Sequence, residues 1–407
     1  MPYLFVGAGQ AGSGIVDDIF EHTNMSKIAT PVIFNSTIRD LQNLSNVEAD
    51  RWYGIAEQYG LVEGTTEGFE EQVTGGFGRD PVRADEVMDE HADELQSALR
   101  EQVGSAEVDA DEDEVPGSGD VPFAFLFFGL GGGTGCGIAP HIAEAISSFT
   151  DGTTRIIAVC VLPNTEGPVG GDEEEASPSR QAWNARYGLD RIEDVVDGVV
   201  LVDNQRLSYH NAAEGQFTEY NEYIADAVVD LISGPILERI DRSDYDVDPP
   251  IIDLQDIVTS LSFGVGEDDR EPGYAALGRS VAMTRSLRGY LLPFVGRKSV
   301  DALALANLAD SKQTVAGADS RDARKAIGLL RAPSRYIRET DYRIGTSKLR
   351  TFLTTRCDEV NLGATLTRRN LVSFTALFTY HRDDIDRIAE IERLAAEYED
   401  ESEAVVA

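Results

Sequence analysis

Nine residues, GLGGGTGCG at positions 129–137, constrain this chain more than any other stretch. The apolar run VPFAFLFF at 121–128 precedes them, and IAPHIAEAI at 138–146, with helical spacing, follows. A strand that feeds a glycine-rich turn and then a helix start is a phosphate cradle. Backbone N–H groups converge there, the helix N-terminus adds partial positive charge, and missing Cβ atoms let an anion come close. Six glycines and a threonine in nine residues exceed what a structural turn requires. A plain surface loop needs neither the strand before it nor the helix after it.

The chain has 407 residues, enough for two or three domains, and its 42% hydrophobic content supplies ample core. Net charge is −37, and lysine occurs only at Lys27, Lys298, Lys312, Lys325 and Lys348, so arginine supplies most of the 35 basic residues. Disorder pairs high charge with low hydrophobicity, which does not describe this chain. The acidic excess predicts a protein of a high-salt cytoplasm, where screening relieves self-repulsion. It argues against nucleic acid and anionic membranes as partners. Cys136, Cys160 and Cys357 are sparse and odd in number, which predicts a reducing compartment without a disulfide framework. Cys136 is expected to fill space in the glycine loop rather than act as a nucleophile. The five histidines show no metal-ligand spacing. The N-terminus lacks the basic start of a signal peptide, and no apolar run reaches the ~20 residues of a membrane span.

Strand and helix signals alternate from the start. Residues 3–7, 31–34, 123–128, 155–162 and 198–202 read as apolar strands separated by helices, which predicts a parallel sheet covered on both faces. Right-handed crossovers would gather the loops after the strands, including both glycine loops, on one edge. Residues 217–239 read as one long helix, with Phe217, Tyr220, Ile224, Ala227, Val228, Leu231 and Ile232 in helical spacing; Gly234 and Pro235 should kink or end it. Residues 241–250 form a charged boundary. Signals at 280–283, 323–330 and 374–380 then predict a smaller mixed α/β domain, with an amphipathic helix over 383–399 and a short acidic tail. Residues 104–120 and 170–178 read as acidic loop insertions.

Gly7, Gly9 and Gly12 match G-x-G-x-x-G after a first strand, which opens the competing reading of an NAD oxidoreductase. Against it, the second strand ends in Asn35, where an NAD site wants Asp or Glu, and the richer glycine loop follows a later strand. No GK[ST] is present, so this is not a P-loop enzyme.

In shared order along the chain, these loops resemble those of the tubulin and FtsZ superfamily of GTPases. GGGTGCG, Gly131 to Gly137, resembles its signature of GGGTG, Ser or Thr, and Gly. Gly9, Gln10, Ala11 and Gly12 resemble tubulin's first loop, and Asn35 to Thr37 with Asp40 and Leu41 the second. Gly75 to Asp80, including Gly76 and Gly78, stands where a γ-phosphate-sensing loop would be. Asn164 to Gly167 resembles the fifth loop, whose glutamate, here Glu166, binds ribose hydroxyls. Val202 to Leu207 resembles tubulin's Asp-Asn-Glu-Ala-Leu segment. The resemblance implies a guanine site built from Gly9, Gln10, Ala11, Gly12, Asn35, Gly76, Gly78, Gly131, Gly132, Gly133, Thr134, Gly135, Cys136, Gly137, Glu166, Asn204, Phe217 and Asn221. In it Asn204 and Asn221 would select guanine, and Phe217 would stack on it.

Asp253 to Asp256 resembles FtsZ's Asp-Phe-Ala-Asp, the loop that reaches the nucleotide of a neighbouring subunit. By resemblance Asp253 and Asp256 are the catalytic pair, since two carboxylates can orient the water that attacks the γ-phosphate. The family's asparagine two residues earlier is Ile251 here, which puts the hydrolysis rate in question. Within the superfamily the chain resembles the archaeal CetZ group, partly through GYAALG at 273–278. The implied fold is α/β: a Rossmann-like parallel-sheet GTP-binding domain at 1–216, a long central helix and linker at 217–248, a smaller α/β C-terminal domain at 249–398, and a tail at 399–407. The implied protein is a cytoplasmic, head-to-tail polymerising GTPase that uses GTP or GDP with Mg²⁺, with a role in cell shape or motility. It would take no nucleic acid and insert in no membrane, and it lacks the terminal linker and peptide by which FtsZ engages membrane adaptors, leaving other adaptor proteins open. The alternatives are a GTP-binding scaffold with little hydrolysis and an FtsZ-like division role.

Overall fold

The computed structural model describes residues 3–22, 25–107, 121–166, 177–208, 216–232, 252–264, 270–285, 297–338 and 343–406. The chain divides into two compact units, Met1–Ala225 with Asp386–Ala407, and Asp226–Ile385.

The first unit begins with β1 (Tyr3–Ala8), α1 (Gly9–Phe20), β2 (Ala29–Asn35), α2 (Ile38–Gln42), β3 (Trp52–Ala56) and β4 (Gly60–Glu63). It continues through α3 (Phe69–Gln72), α4 (Pro81–Glu90), α5 (Ala92–Glu107), β5 (Phe123–Gly129), α6 (Thr134–Phe149), β6 (Arg155–Leu162), α7 (Pro178–Ile192), β7 (Gly198–Asp203), α8 (Gln205–Ser208) and the start of α9 (Gln216–Ile232). Its strand order is β7-β6-β5-β1-β2-β3-β4. All neighbours pair in parallel except β3 with β4. β1 and β7 are buried at every position, as strands covered on both faces must be. The chain steps from β1 to β2 on one side and later returns to β5 on the other. The gap between the C-terminal ends of β1 and β5 is therefore the topological switch point, where open α/β sheets bind ligands.

That junction is held by aromatics and by an absence of side chains. Phe5 on β1 stacks on Phe125 and Phe127 of β5, with ring centroids 5.0 and 5.9 Å away, and Phe20 of α1 meets Phe5 edge-on at 6.1 Å. Above them α1 lies directly against β5. A Cβ on Gly12 would stand 1.9 Å from the carbonyl oxygen of Phe127, and one on Gly7 would stand 2.7 Å from that of Gly12. Only glycine admits this approach.

The second unit contains the end of α9, then α10 (Leu254–Ser260), β8 (Ser262–Phe263), β9 (Glu271–Pro272), β10 (Tyr274–Met283), α11 (Ala302–Ser311), β11 (Lys325–Ala332), α12 (Ser334–Arg338), α13 (Thr346–Thr354), β12 (Glu359–Leu366) and β13 (Leu371–Tyr380). Its main strand order is β12-β11-β13-β10, with β13 antiparallel to both neighbours. This is the small mixed α/β unit expected from the sequence.

Four boundaries differ from the expectations. The glycine segments are not loops ahead of helices: α1 begins at Gly9 and α6 at Thr134, so half of each motif is helix. Helix α5 continues to Glu107, into the segment read as an insertion from residue 104. The tail is helical, because α14 (Asp386–Val406) runs unbroken through it. Finally, α14 clusters with the first unit, whereas the sequence reading grouped residues up to 398 with the second. Its amphipathic pattern announced a buried face but not the face that buries it. That partner is α7, where Trp183 packs on Tyr398 and both Trp183 and Arg186 bond Glu399. The expectations about Gly234 and Pro235, residues 241–250, Ile251, and most of the two acidic insertions lie outside the described residues.

Two stability predictions follow from α1. Gly12→Ala should destabilise the fold by about 1–3 kcal/mol in denaturant titration, since its contact is rigid backbone and cannot yield. Burial, then the negative charges of Asp17, Glu222 and Glu21, push the Asp18 carboxyl up to about 6. The folded state thus holds this proton more tightly than the unfolded chain, and stability falls as pH rises from about 4 to about 6. Asp18→Asn should raise stability at neutral pH by about 1 kcal/mol, discounted for partial exposure, and the gain should vanish by about pH 4.

Candidate functional site

A cavity of about 840 Å³ opens at the switch point. It is lined from the C-terminal ends of successive strands: Ala8 to Ala11 after β1, Asn35 after β2, Gly129 and Gly131 to Gly135 after β5, Pro163 and Asn164 after β6, and Asn204 after β7. Thr37, Asp40, residues 76–79, Val161 and Gln181 also line it.

Two helices start at this cavity, and neither has a side-chain cap. Ala8 precedes α1 and Gly133 precedes α6, and neither caps its helix with a side chain. Asp80, Ser177, Asp253 and Asp301 cap α4, α7, α10 and α11, while α2, α3 and α13 also lack a side-chain cap. Uncapped N–H groups at a helix start carry a partial positive charge of roughly half an electron and accept an anion readily.

The glycines divide by what they do. Gly9 adopts a left-handed φ of 68° and lies against Gly135, joining the two helix starts. A Cβ on Gly135 would come within 2.8 Å of the Gly129 carbonyl oxygen, and one on Gly133 within 2.6 Å of the Asp80 nitrogen. Gly12 and Gly137 lie behind the cavity. Gly12 packs on β5, and a Gly137 Cβ would stand 2.4 Å from the Pro81 carbonyl oxygen on α4. At Gly132 a Cβ would meet no atom of the other described residues within 4 Å, chain neighbours aside, so packing there does not require glycine. Gly78, with φ of 60°, and Gly75 also face open space.

Short polar contacts fix the remaining walls. Ser36 and Thr134 share a hydroxyl bond of 2.6 Å between the loops after β2 and β5. Asn35 accepts from the Thr37 N–H at 3.2 Å and donates to Ser13 at 3.4 Å. Burial raises the Asp40 carboxyl, opposed by its bond from Asn35 and by Arg39. Asn184 of α7 donates to the carbonyls of Arg79, Gly131 and Gly132, and so clips residue 79 to the glycine turn. Arg79 itself holds a left-handed φ of 61°, rare for a residue with a side chain. It is the basic side chain among the lining residues.

Cys136 is buried beneath the turn and donates to the carbonyls of Leu130 at 2.8 Å and Gly129 at 3.4 Å. Burial pushes its thiol well above the usual range, so it fills space as expected. Glu166 is exposed and outside the lining, on a turn where its N–H donates to Asn164. Asn221 is also outside the lining; its amide stands 3.2 Å from where a Gly14 Cβ would be. The Phe217 side chain lies outside the described residues. Asp253 and Asp256 belong to the second unit and form a reciprocal capping box. The Asp256 N–H donates to Asp253 at 2.8 Å, and the Asp253 N–H donates to Asp256 at 2.9 Å.

Sequence reasoning named neither Arg79 nor Gln181 for the site. Arg79 sat inside the recognised loop, and its charge was the available signal. Gln181 comes from α7, and no motif marks it. Among the described residues no helix is long and apolar enough to cross a membrane, and no cluster of three or more metal-ligating side chains exists.

The comparisons agree with this geometry. Residues 3–212 match the Tubulin/FtsZ family, GTPase domain. The tubulin-like protein CetZ of Pyrococcus furiosus is 27% identical over 249 residues, 60% of this chain and 57% of that relative. The matched stretch thus spans little more than half of that protein's length. The structure of CetZ1 from Haloferax volcanii, a GDP-bound monomer, superposes with a TM-score of 0.69 at 21% identity, covering 98% of this chain and all of that one. CetZ2 from the same organism, a GTPγS-bound protofilament, also scores 0.69, at 20% identity, over 99% of this chain and all of that one. At these identities the structures establish a shared fold. With a family match over more than half its length, a sheet ordered around one switch point and a glycine turn at that point, the chain belongs to the Tubulin/FtsZ family.

Proposed function

We propose that this protein binds GTP in the switch-point cavity, assembles head to tail with copies of itself, and hydrolyses the nucleotide where one subunit meets the next. The observation that carries the nucleotide reading is the pair of uncapped helix starts around Gly132, whose missing side chain the protein's own packing does not demand. The di- or triphosphate would lie across α1 and α6, with Arg79 beside it. Asn164 and Asn204, at the far strand ends, would meet ribose and base. NAD fits less well, because Asn35 spends its side-chain oxygen on a turn and offers no carboxylate to a ribose. Mg²⁺ would arrive on the phosphates, which suits a cation that keeps most of its waters; Asp40 is the lining carboxylate able to approach it.

The self-association reading is supported by the protofilament of the structurally similar CetZ2. A contact between unlike faces propagates rather than closes, so it would build a filament. In it Asp253 and Asp256 of one subunit would orient water at its neighbour's γ-phosphate. The capping box uses one oxygen of each carboxylate and leaves the other. The same box supports a second reading, a nucleotide-dependent scaffold with little turnover, because it gives both acids a structural task. A role in cell shape or motility, and a high-salt cytoplasmic setting, complete the proposal.

Identifying the nucleotide that copurifies tests the ligand: guanine nucleotide is expected, and a nicotinamide cofactor would defeat the reading. Gly132→Ala should unfold like the parent yet bind GTP at least tenfold more weakly by calorimetry. Specific GTPase activity should rise with protein concentration in high salt. Asp256→Asn keeps an oxygen for the cap, so it should retain fold and GTP binding while single-turnover hydrolysis on sedimented filaments drops at least tenfold. Unchanged turnover would remove Asp256 from the mechanism, and background-level turnover in the parent filaments would favour the scaffold.

A further inference from the structure

The loops that present Asn164 and Asn204 to the cavity are tied together by a residue far outside the matched family stretch. Arg387 lies in the first turn of α14, and its side chain is 1% exposed. All three guanidinium nitrogens are engaged. Nε donates to Asp203 at 3.2 Å, Nη1 to Thr165 at 2.8 Å and Glu390 at 2.9 Å, and Nη2 to the Pro163 carbonyl at 2.6 Å. Pro163 and Thr165 flank Asn164. Asp203 precedes Asn204, and its other oxygen accepts the Gln205 N–H at 3.0 Å, closing a turn around Asn204. Thr165 and Gln205 bond each other at 3.2 Å.

We propose that Arg387 is the positioning residue for base and ribose recognition, a strut from the C-terminal helix that sets the spacing of the Asn164 and Asn204 loops. The inference rests on the guanine-nucleotide reading above. Arg387 is not among the cavity-lining residues, so it acts through those loops. The planar fork reaches four acceptors in fixed directions, which a lysine ammonium does not reproduce. The phosphate end is held chiefly by other contacts, the glycine turn and the Asn184 bonds to it, and meets the strut's loops where Pro163 packs on Gly131. Base selectivity should therefore depend on the strut more than phosphate binding does.

The test uses the nucleotide-free full chain and calorimetric affinities for GTP, ATP and inorganic pyrophosphate. Arg387→Ala should lower GTP affinity at least tenfold and bring the GTP-to-ATP ratio toward one, while pyrophosphate affinity changes less than threefold. Arg387→Lys should restore less than half of the lost selectivity on a logarithmic scale. Glu399→Ala, which loosens the same helix at Trp183 and Arg186, should leave the ratio intact and so controls for general destabilisation. If Arg387→Ala does not fold, Thr165→Val, which removes one tie, should lower the ratio in the same direction by a smaller factor. A folded Arg387→Ala, or failing it Thr165→Val, with the parental ratio overturns the proposal. A parent chain without preference for GTP overturns the guanine reading, and the proposal falls with it.

Discussion

The site depends on how closely backbone can approach backbone where β1 and β5 end. A strand–helix turn normally needs a few ångströms of side chain between its arms. Here Gly7, Gly12, Gly133 and Gly135 remove them, and two helices start almost at the sheet edge. Their first-turn N–H groups consequently open on one small volume. Had Ser or Asp capped them, as Asp80 and Ser177 cap their neighbours, those donors would be consumed within the protein.

This geometry resolves an electrostatic conflict. A chain of net charge −37 repels anions, yet two helix starts open on its cavity. Arg79 is the basic side chain in the lining and Asp40 offsets it. Fixed backbone dipoles supply the rest: two helix termini at roughly +0.5 each match the charge of one further cation without adding a titrating or mobile group. Because those dipoles sit in partly buried surroundings, salt screens them less than it screens surface charge. An acidic surface and a cavity rimmed by backbone donors can thus coexist in one molecule.

Much of this was legible in the sequence because it rests on local rules. Apolar runs marked the buried parallel strands, and the glycine spacing marked the turns at Gly9 and Gly131. What stayed hidden was non-local. β3 and the edge strand β4 are only five and four residues long, too short to stand out as periodic runs. Helix starts were placed too late because glycine lowers helix propensity, and only the contacts of Gly135 and Gly137 with neighbouring backbone show why helical positions carry it. Gln181 reaches the cavity from a helix without a motif. The pair Asp253 and Asp256 was read for catalysis, while spacing of three residues before an apolar run is equally the signature of a capping box, which is the contact they make.

The hidden partner of Asp203 shows how far such coupling extends. Its carboxylate is fully buried, and the guanidinium that pairs with it arrives after nearly two hundred intervening residues. Leaving a buried charge without its partner costs about 3–5 kcal/mol. Domains are stable by only about 5–15 kcal/mol, so this one ion pair is a large fraction of the margin. A chain cut at residue 212, where the family match ends, would leave the buried Asp203 carboxylate without this guanidinium. The chain returns as α14, which seats Arg387 against the strand ends and covers α7. The glycine turn brings two helix starts together at one end of the cavity, and the C-terminal helix ties the loops at the other.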